Sequence, residues 1–176
     1  MKIDLSKIES EPTRFAETIG FDNDRLDPTG CIGPMEVRLE GIVRPMGGRY
    51  LLTGQTAAEG QLSCGRCLEP VAWQMKSTFD LEMALVGDAP LDPELALDEG
   101  DLDVVFLEEP VLDIEKLAFE QLVLEIPIRV LCSEECAGLC PRCGANRNVE
   151  GVCTCEPEVD PRWTALGDLA GKTPVD

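Results

Sequence analysis

The sequence of 176 residues contains no histidine. Histidine is the commonest general base in enzymes and the usual ligand of catalytic zinc. Its absence excludes Ser-His-Asp triads and Cys-His pairs, and the phosphate-binding patterns GxxxxGKS, GxxxxGKT and GxGxxG are absent too. The sequence therefore favours a protein that is not an enzyme, because the residues on which most catalytic sites depend are missing.

Long apolar runs are missing as well. No stretch approaches the roughly 18 to 20 apolar residues that cross a bilayer, and the N-terminal sequence MKIDLSKIES lacks the apolar core of a signal peptide. We therefore expect a cytoplasmic protein that does not associate with membranes. A reducing compartment keeps thiols free, so clustered cysteines there indicate metal ligands more than disulfides.

Basic residues are few: 15 lysines and arginines stand against 34 acidic residues, which gives a net charge of −19. Such a surface repels phosphate backbones, so direct binding to nucleic acid is disfavoured and a basic protein partner is favoured. The same charge could equally serve solubility alone. The hydrophobic content of 44% is that of a folded domain.

The sequence is rich in cysteine, with nine in all. Eight form four close pairs: Cys64 and Cys67, Cys132 and Cys136, Cys140 and Cys143, and Cys153 and Cys155. In CPRCG, two thiolates three positions apart can converge on one ion, and Gly144 allows the backbone to turn back. With CTC this makes an all-thiolate set of four ligands. The ninth cysteine, Cys31, stands alone and is predicted to be a small buried hydrophobe.

Four pairs can be divided into two metal sites in three ways, and the sequence alone does not choose between them. We prefer a local C-terminal site made by the last two pairs, because closing a short loop costs little entropy. The first two pairs then form a long-range site. Closed sites of four thiolates are structural, and the predicted cofactor is Zn²⁺, as two structural ions or at least one. A redox dithiol at CGRC is less favoured, because its flanks resemble antiparallel strands.

Alternation of apolar and polar residues predicts strands from Met35 onward. Gly47-Gly48 predicts a hairpin turn, followed by a strand from Arg49 to about Thr56 and another piece from Ala57 to Cys64. Residues 71–85 alternate too, and we expect that strand to bend or split near Ser77-Thr78. Gly41 could mark a bulge, and residues 104–107 suit a short buried strand.

Two helices are expected besides these strands. Asp113 can cap a helix that ends before Pro127, with a wide apolar face buried against the sheet. Residues 160–171 predict a short amphipathic tail helix. Phe15 and Ile19 are spaced for a helical turn, and the acidic segment 87–109 is predicted to be largely an exposed loop.

Together these elements predict an α+β fold: an antiparallel β-meander or partial barrel packed by one buried helix, with a C-terminal cysteine-rich zinc-binding lobe. We expect two domains. Residues 1–131 would form the sheet and helix domain, and residues 132–176 the zinc-binding lobe with its tail helix.

Four segments carry a resemblance to a known family: CGRC after a β-meander, EIPIRVLCSEECAGLCPRCGANRN after a helix, CTC and DPRW. From about Met35 to Leu169 the chain resembles the YceD-type family of large-ribosomal-RNA accumulation proteins. The resemblance implies a bacterial cytosolic protein, with plastid relatives, needed for normal levels of 23S ribosomal RNA. It implies no established enzymatic activity, and the Cys140 to Cys155 site would be an accessory, since not all members keep it.

The resemblance and the charge together predict a non-enzymatic ribosome-biogenesis factor that acts through a basic partner, such as a ribosomal protein or an assembly factor. Contact with ribosomal RNA would then be indirect. The alternative is a zinc-ribbon module for redox sensing or regulation, in which thiol oxidation releases metal. A hydrolase based on Glu134 and Glu135 is disfavoured, because nothing in the sequence positions these carboxylates.

Overall fold

The structure is a computed structural model that describes residues 1–26, 29–88, 104–151, 153–155 and 162. Its main element is a five-stranded sheet, curled into a half-barrel, in the order β2-β3-β4-β5-β6. The strands of this sheet are β2 (Thr13–Phe21), β3 (Cys31–Met46), β4 (Arg49–Ser63), β5 (Pro70–Leu85) and β6 (Val104–Leu107). Strands β1 (Lys2–Asp4) and β7 (Val111–Asp113) form a separate antiparallel pair.

Helix α1 is a single turn (Asn23–Leu26), and α2 (Ile114–Glu125) packs on β3 and β4. Short 3₁₀ helices cover Leu5–Lys7 and Val86–Asp88. The predicted α+β class, with a meander or partial barrel and one main helix, is confirmed. No helix within the described ranges is long and apolar enough to cross a membrane.

Strands β2 to β5 form an antiparallel meander whose inward side chains make the core. Met46 pairs with Arg49 across the two-residue turn Gly47-Gly48, where both glycines have positive φ values of 57° and 88°. Only glycine adopts this conformation readily, so the predicted hairpin turn is confirmed. The buried residues that strands of the meander contribute include Phe15, Phe21, Met35, Val37, Leu39, Val43, Leu52 and Met83.

The Asp113 side chain caps α2 as predicted, because it accepts hydrogen bonds from the backbone N–H groups of Glu115 and Lys116 at 3.1 and 3.2 Å. The helix ends at Glu125, two residues before Pro127. Its buried face is narrower than predicted. Val123 and Leu124 are 41% and 76% exposed and point away from the core.

The predicted helical turn at Phe15 and Ile19 is wrong, because both lie in strand β2. A spacing of four also fits a strand, in which alternate residues share a face. Strand β4 runs without the predicted break near Thr56, and β5 passes through Ser77-Thr78 in regular register. The sheet accommodates these long strands by curling.

Gly41 marks no bulge, since its pairing with Phe15 and Gly54 is regular and the register shift lies between Ile32 and Glu36. Both glycines serve a different purpose. A Cβ atom on Gly41 would lie 2.9 Å from Phe15 Cζ, and one on Gly54 would lie 2.6 Å from Phe79 Cζ. The missing side chains therefore leave room for two aromatic rings over the sheet.

Residues 104–107 form a strand as predicted, but β6 pairs parallel with β5 and lies at the edge of the sheet. The prediction that it is buried is wrong, because Val105 and Phe106 are 43% and 42% exposed. Cys31 is half-buried rather than buried, and the Thr29 hydroxyl donates to its sulfur at 3.0 Å. The predicted tail helix and residues 89–103 of the acidic segment lie outside the described residues.

Candidate metal centres

Eight cysteine sulfurs come together in two groups of four, and within each group every sulfur lies within 4.8 Å of the others. The first cysteine set is Cys64, Cys67, Cys132 and Cys136. The second cysteine set is Cys140, Cys143, Cys153 and Cys155. Among the three possible divisions, this is the one that loop-closure entropy favours. The first set draws its members from both sides of the expected boundary after residue 131, and the division into two domains stays a prediction.

The distances between sulfurs fit a metal site better than disulfides. Tetrahedral zinc with Zn–S bonds of about 2.3 Å places its sulfurs about 3.8 Å apart. In the first set, Cys64 and Cys136 are 3.8 Å apart, and Cys67 and Cys132 are 3.6 Å apart. In the second set, Cys140 and Cys153 are 3.2 Å apart. All nine cysteines are free thiols, so both sets fit a metal ion bound by four thiolates.

The first set joins the end of β4 to the segment that follows α2. The backbone of Cys64 to Glu69 forms a tight turn, since Cys64 N–H donates to Glu69 O and Leu68 N–H donates to Cys64 O, both at 2.9 Å. Gly65 N–H donates to Val130 O at 2.8 Å and so attaches this turn to the chain just before Cys132. Cys64, Cys67 and Cys136 are buried, and only Cys132 is exposed.

The thiols of the first set differ in pKa. Backbone N–H groups of Cys67 and Arg66 lower the pKa of Cys64 to about 6. For Cys67, the Glu69 backbone N–H acts to lower the pKa, but burial and hydrogen bonds to neighbouring sulfurs outweigh it and raise the pKa to about 12. Four thiolates this close repel one another, so a divalent cation must be bound before all four can ionise.

The second set contains the predicted knuckle. Gly144 N–H donates to Cys140 O at 2.9 Å, and Cys140 N–H donates to Ala145 O at 2.8 Å. Gly144 has a φ of 73°, which explains the glycine at this position. Cys140 is buried, Cys143 is exposed, and Cys153 and Cys155 lie between these extremes. The second set is therefore the more accessible of the two.

Backbone N–H groups also prepare Cys140 as a thiolate. Those of Cys143 and Arg142 lower the pKa of Cys140 to about 5. Hydrogen bonds to the sulfurs of Cys143 and Cys153 raise the pKa of Cys155 to about 12. The Cys140 sulfur acts on the nearby guanidinium of Arg147 and raises the pKa of Arg147. This cation offsets part of the negative charge that four thiolates and one Zn²⁺ would carry.

Polar contacts connect the two sets. Arg66 donates from its guanidinium to the carbonyls of Glu134 and Cys136 at 3.0 and 2.8 Å, and its own carbonyl accepts from Leu139 N–H at 3.0 Å. Asn148, on the loop of the second set, donates from its amide to Cys136 Sγ in the first set at 3.3 Å. The same side chain accepts from Ala137 N–H at 2.7 Å.

Comparison with known proteins places this chain in a family. Residues 52–170 match the sequence profile described as "Large ribosomal RNA subunit accumulation protein YceD", which is more than half of the chain. The chain belongs to the YceD family. Both cysteine sets lie within the matched residues, as the resemblance to the YceD family noted in the sequence implies. The family's description names an accumulation protein and no catalytic activity.

Relatives in the YceD comparison come from bacteria and a plant. An uncharacterized protein of Mycobacterium tuberculosis is 27% identical over 180 residues, which cover 97% of this chain and 82% of that protein. The chloroplastic "Large ribosomal RNA subunit accumulation protein YCED homolog 1" of Zea mays is 30% identical over 182 residues, covering 89% of this chain and 61% of the maize protein. No solved structure matches the chain significantly.

The sequence pattern of this YceD chain identifies all eight clustered cysteines but not the polar residues that support them. Asn148 and Arg147 lie between the two ligand pairs of the second set, within GANRN. An asparagine or arginine between ligand pairs is a usable signal, because sulfurs in metal sites accept hydrogen bonds from nearby donors. The contacts of Arg66 join segments about 70 residues apart, so no local pattern could reveal them. Glu134 and Glu135 are exposed.

Replacing Asn148 is expected to weaken metal binding at the first set of this YceD protein, although Asn148 is not a ligand. Its amide helps to lower the pKa of Cys136 against the opposing effect of burial. We expect Asn148→Ala to reduce metal affinity at that site by about 10- to 100-fold, the usual effect of losing a supporting hydrogen bond. Competition with a chromogenic chelator measures this affinity.

Asn148→Asp is the matched comparison, because a carboxylate keeps the acceptor for Ala137 N–H but cannot donate to the sulfur. It should weaken the first site at least as much as Asn148→Ala. An affinity equal to that of the wild type in both variants would contradict a role for the amide.

Proposed function

We propose that this protein is a ribosome-biogenesis factor that supports accumulation of 23S ribosomal RNA without catalysing a reaction. The observation that carries the proposal is the family match over residues 52–170. The maize relative, whose printed name gives the same role, supports it. Its place of action would be the cytoplasm, where ribosomes are assembled.

In this proposal the two cysteine sets bind structural zinc. Four thiolates leave no open coordination position for water or substrate, so a closed site of this kind holds a fold together. The first set would fix the end of β4 against the segment after α2, and the second would fix the local loop. The surface around them would then carry the activity.

We also propose that the protein acts through a basic protein, a ribosomal protein or another assembly factor, and contacts ribosomal RNA only indirectly. The net charge of −19 supports this, and two zinc ions bound by eight thiolates would make it more negative. A surface of this sign repels an RNA backbone and attracts proteins rich in lysine and arginine.

Depletion of the protein in a bacterium that encodes it tests the proposed role. We expect the ratio of 23S to 16S ribosomal RNA to fall, and the wild-type gene to restore it. An unchanged ratio and unchanged large subunits would overturn the role.

Capture of the tagged protein, from one sample left intact and one treated with ribonuclease, tests the indirect contact. A basic protein that is recovered from both samples at low salt and released at high salt would support it. Recovery of RNA alone from the intact sample, resistant to high salt, would overturn it.

A redox-sensing module is the second candidate, and the exposure of Cys143 favours it. An accessible ligand thiolate is the first to meet an oxidant. Mild peroxide would then release metal from the second set with a reversible change of fold. Retention of both metal ions under peroxide would exclude this candidate.

A further inference from the structure

An apolar groove lies between the edge strand β6 and helix α2. Its volume is about 600 Å³, within the range of about 300 to 1,000 Å³ that is typical of clefts that bind ligands. Side chains of β5, β6 and α2 form most of its walls, among them Leu81, Met83, Val105, Leu107, Leu117 and Val123. The groove is separate from both cysteine sets, which contribute no residue to it.

Large apolar side chains stand exposed around this groove. Val105 and Phe106 project from β6, and Val123 and Leu124 from the last turn of α2, each more than 40% exposed. Single exposed apolar residues are ordinary, but several that line one groove indicate a surface that another molecule covers. Burial was expected for all four from their sequence pattern.

The backbone of β6 offers hydrogen bonds along the same groove. One edge of β6 pairs with β5 between Glu82 and Leu85, and no strand in the described ranges pairs with the other edge. An unpaired edge is a template for an added strand, because its N–H and C=O groups point outward. A strand added there would send alternate side chains towards the groove and the others to solvent.

Charge indicates which molecule fits. Glu108 and Glu109 follow β6, and Glu120 lies on α2, where it pairs with Lys116 at 3.8 Å. Other segments of this chain share the negative sign: residues 89–103 have six acidic and no basic residues, and residues 156–176 have five acidic and two basic. A second copy carries −19. All of these are repelled by the acidic residues beside the groove, Glu108, Glu109 and Glu120, whereas a basic segment is attracted.

We propose that the groove between β6 and α2 binds an extended segment of a basic protein, in which apolar residues alternate along the strand and lysines or arginines flank them. The segment pairs with the outer edge of β6 and places its apolar side chains against Val105 and Leu124, which both line the groove. The proposal rests on the proposed function in one respect, that the protein acts through a basic partner, and it adds the surface and the mode of binding.

Designed peptides test the proposal on the full chain purified with its metal. The probe is a fluorescein-labelled peptide of alternating valine and threonine with three lysines at each end. One matched peptide has glutamate in place of lysine, and another carries N-methyl groups on alternate backbone nitrogens of its pairing edge. By fluorescence anisotropy we expect the lysine peptide to bind at least about tenfold more tightly than either control, as charge and strand pairing require.

Substitutions locate the binding surface. Val105→Asp and Leu124→Asp should each weaken binding of the lysine peptide by about tenfold, as expected for residues at the centre of an interface. Val149→Asp is the matched control, because Val149 is an exposed valine on the loop of the second cysteine set. It should change affinity by less than about twofold, as other surface positions outside an interface do. Circular dichroism confirms that each variant is folded.

Five results would overturn the proposal. Three are equal binding by wild type and both groove variants, equal binding of the glutamate peptide, and equal binding of the N-methylated peptide. The fourth, a wild-type dimer that Leu124→Asp dissociates, would assign the groove to a second copy. The fifth, binding that appears only after removal of residues 163–176, would assign it to the chain's own tail.

Expression of the groove variants in depleted cells separates this proposal from the proposed function. If depletion lowers 23S ribosomal RNA and Leu124→Asp restores it as well as the wild type does, the groove proposal fails and the function stands. If peptide binding maps to the groove but depletion leaves ribosomal RNA unchanged, the function fails and the surface stands.

Discussion

Removal of metal from the purified protein is expected to unfold the region of the two cysteine sets and to reduce the stability of the whole chain. Protein purified without chelator should contain two zinc ions per chain. A strong chelator should then abolish the dispersed chemical shifts of residues near Cys64, Cys136 and Cys140. Far-UV circular dichroism and thermal unfolding measure the wider effect.

The size of this effect follows from the energies involved. A structural zinc site contributes on the order of 10 kcal/mol at neutral pH, whereas the total stability of a domain is about 5 to 15 kcal/mol. Without the cation, the thiols of Cys67 and Cys155, both with a pKa of about 12, remain protonated at neutral pH. The positive charge of the ion, which attracts the four sulfurs of each set, is then missing. Metal binding must displace these protons, so acid should also release the metal.

Cys31→Ser provides the control, because Cys31 lies in neither cysteine set. Its metal content should equal that of the wild type. Unchanged circular dichroism and chemical shifts after complete removal of metal would contradict the structural role of both sets.

The alternating pattern of the sequence predicted most of the half-barrel, because inward and outward side chains alternate along each strand. The pattern gave the wrong element where one spacing of apolar residues fits both a helix and a strand. Phe15 and Ile19 fit a helix and a strand equally, and pairing with Val37 and Gly41 of β3 decides for the strand. Such pairing joins residues more than ten positions apart, so no local window contains it.

The cysteine grouping could be preferred but not fixed from the sequence, because loop-closure entropy favours one of the three possible divisions without excluding the other two. Ligands that are close in sequence meet at little entropic cost, and the two pairs left over must then meet each other. The groove between β6 and α2 could not be predicted. Val105 and Phe106 belong to an apolar run that is typical of a buried strand, and only the parallel pairing of β6 at the sheet edge exposes them.

The two cysteine sets should respond differently to the loss of one ligand. Cys136→Ser and Cys143→Ser each remove one thiolate, so each should reduce the metal content from two ions to one. Only Cys136→Ser should also destabilise the sheet, because the first set joins the end of β4 to the segment after α2. Metal analysis and urea unfolding followed by far-UV circular dichroism measure both effects.

Two physical differences predict the larger cost at Cys136. Cys64 and Cys136 are 72 residues apart, whereas Cys140 and Cys153 are 13 apart. Loop-closure entropy alone makes the metal link across the longer loop contribute about 1.5 kcal/mol more to stability than the link across the shorter one. Cys136 is also buried and accepts from Asn148, whereas Cys143 is exposed, so serine at Cys136 leaves a polar group among the sulfurs of a buried set.

We therefore expect Cys136→Ser to lower the free energy of unfolding of the sheet by several kcal/mol, a substantial part of the ~10 kcal/mol of a structural zinc site. Cys143→Ser should leave that free energy within about 1 kcal/mol of the wild type, because the second set closes a local loop and contributes no residue to the sheet. Equal destabilisation of the sheet by both variants would mean that the second set also supports the half-barrel. A sheet unaffected by Cys136→Ser would remove the long-range role of the first set, since that role requires the metal to link Cys64 to the chain after α2.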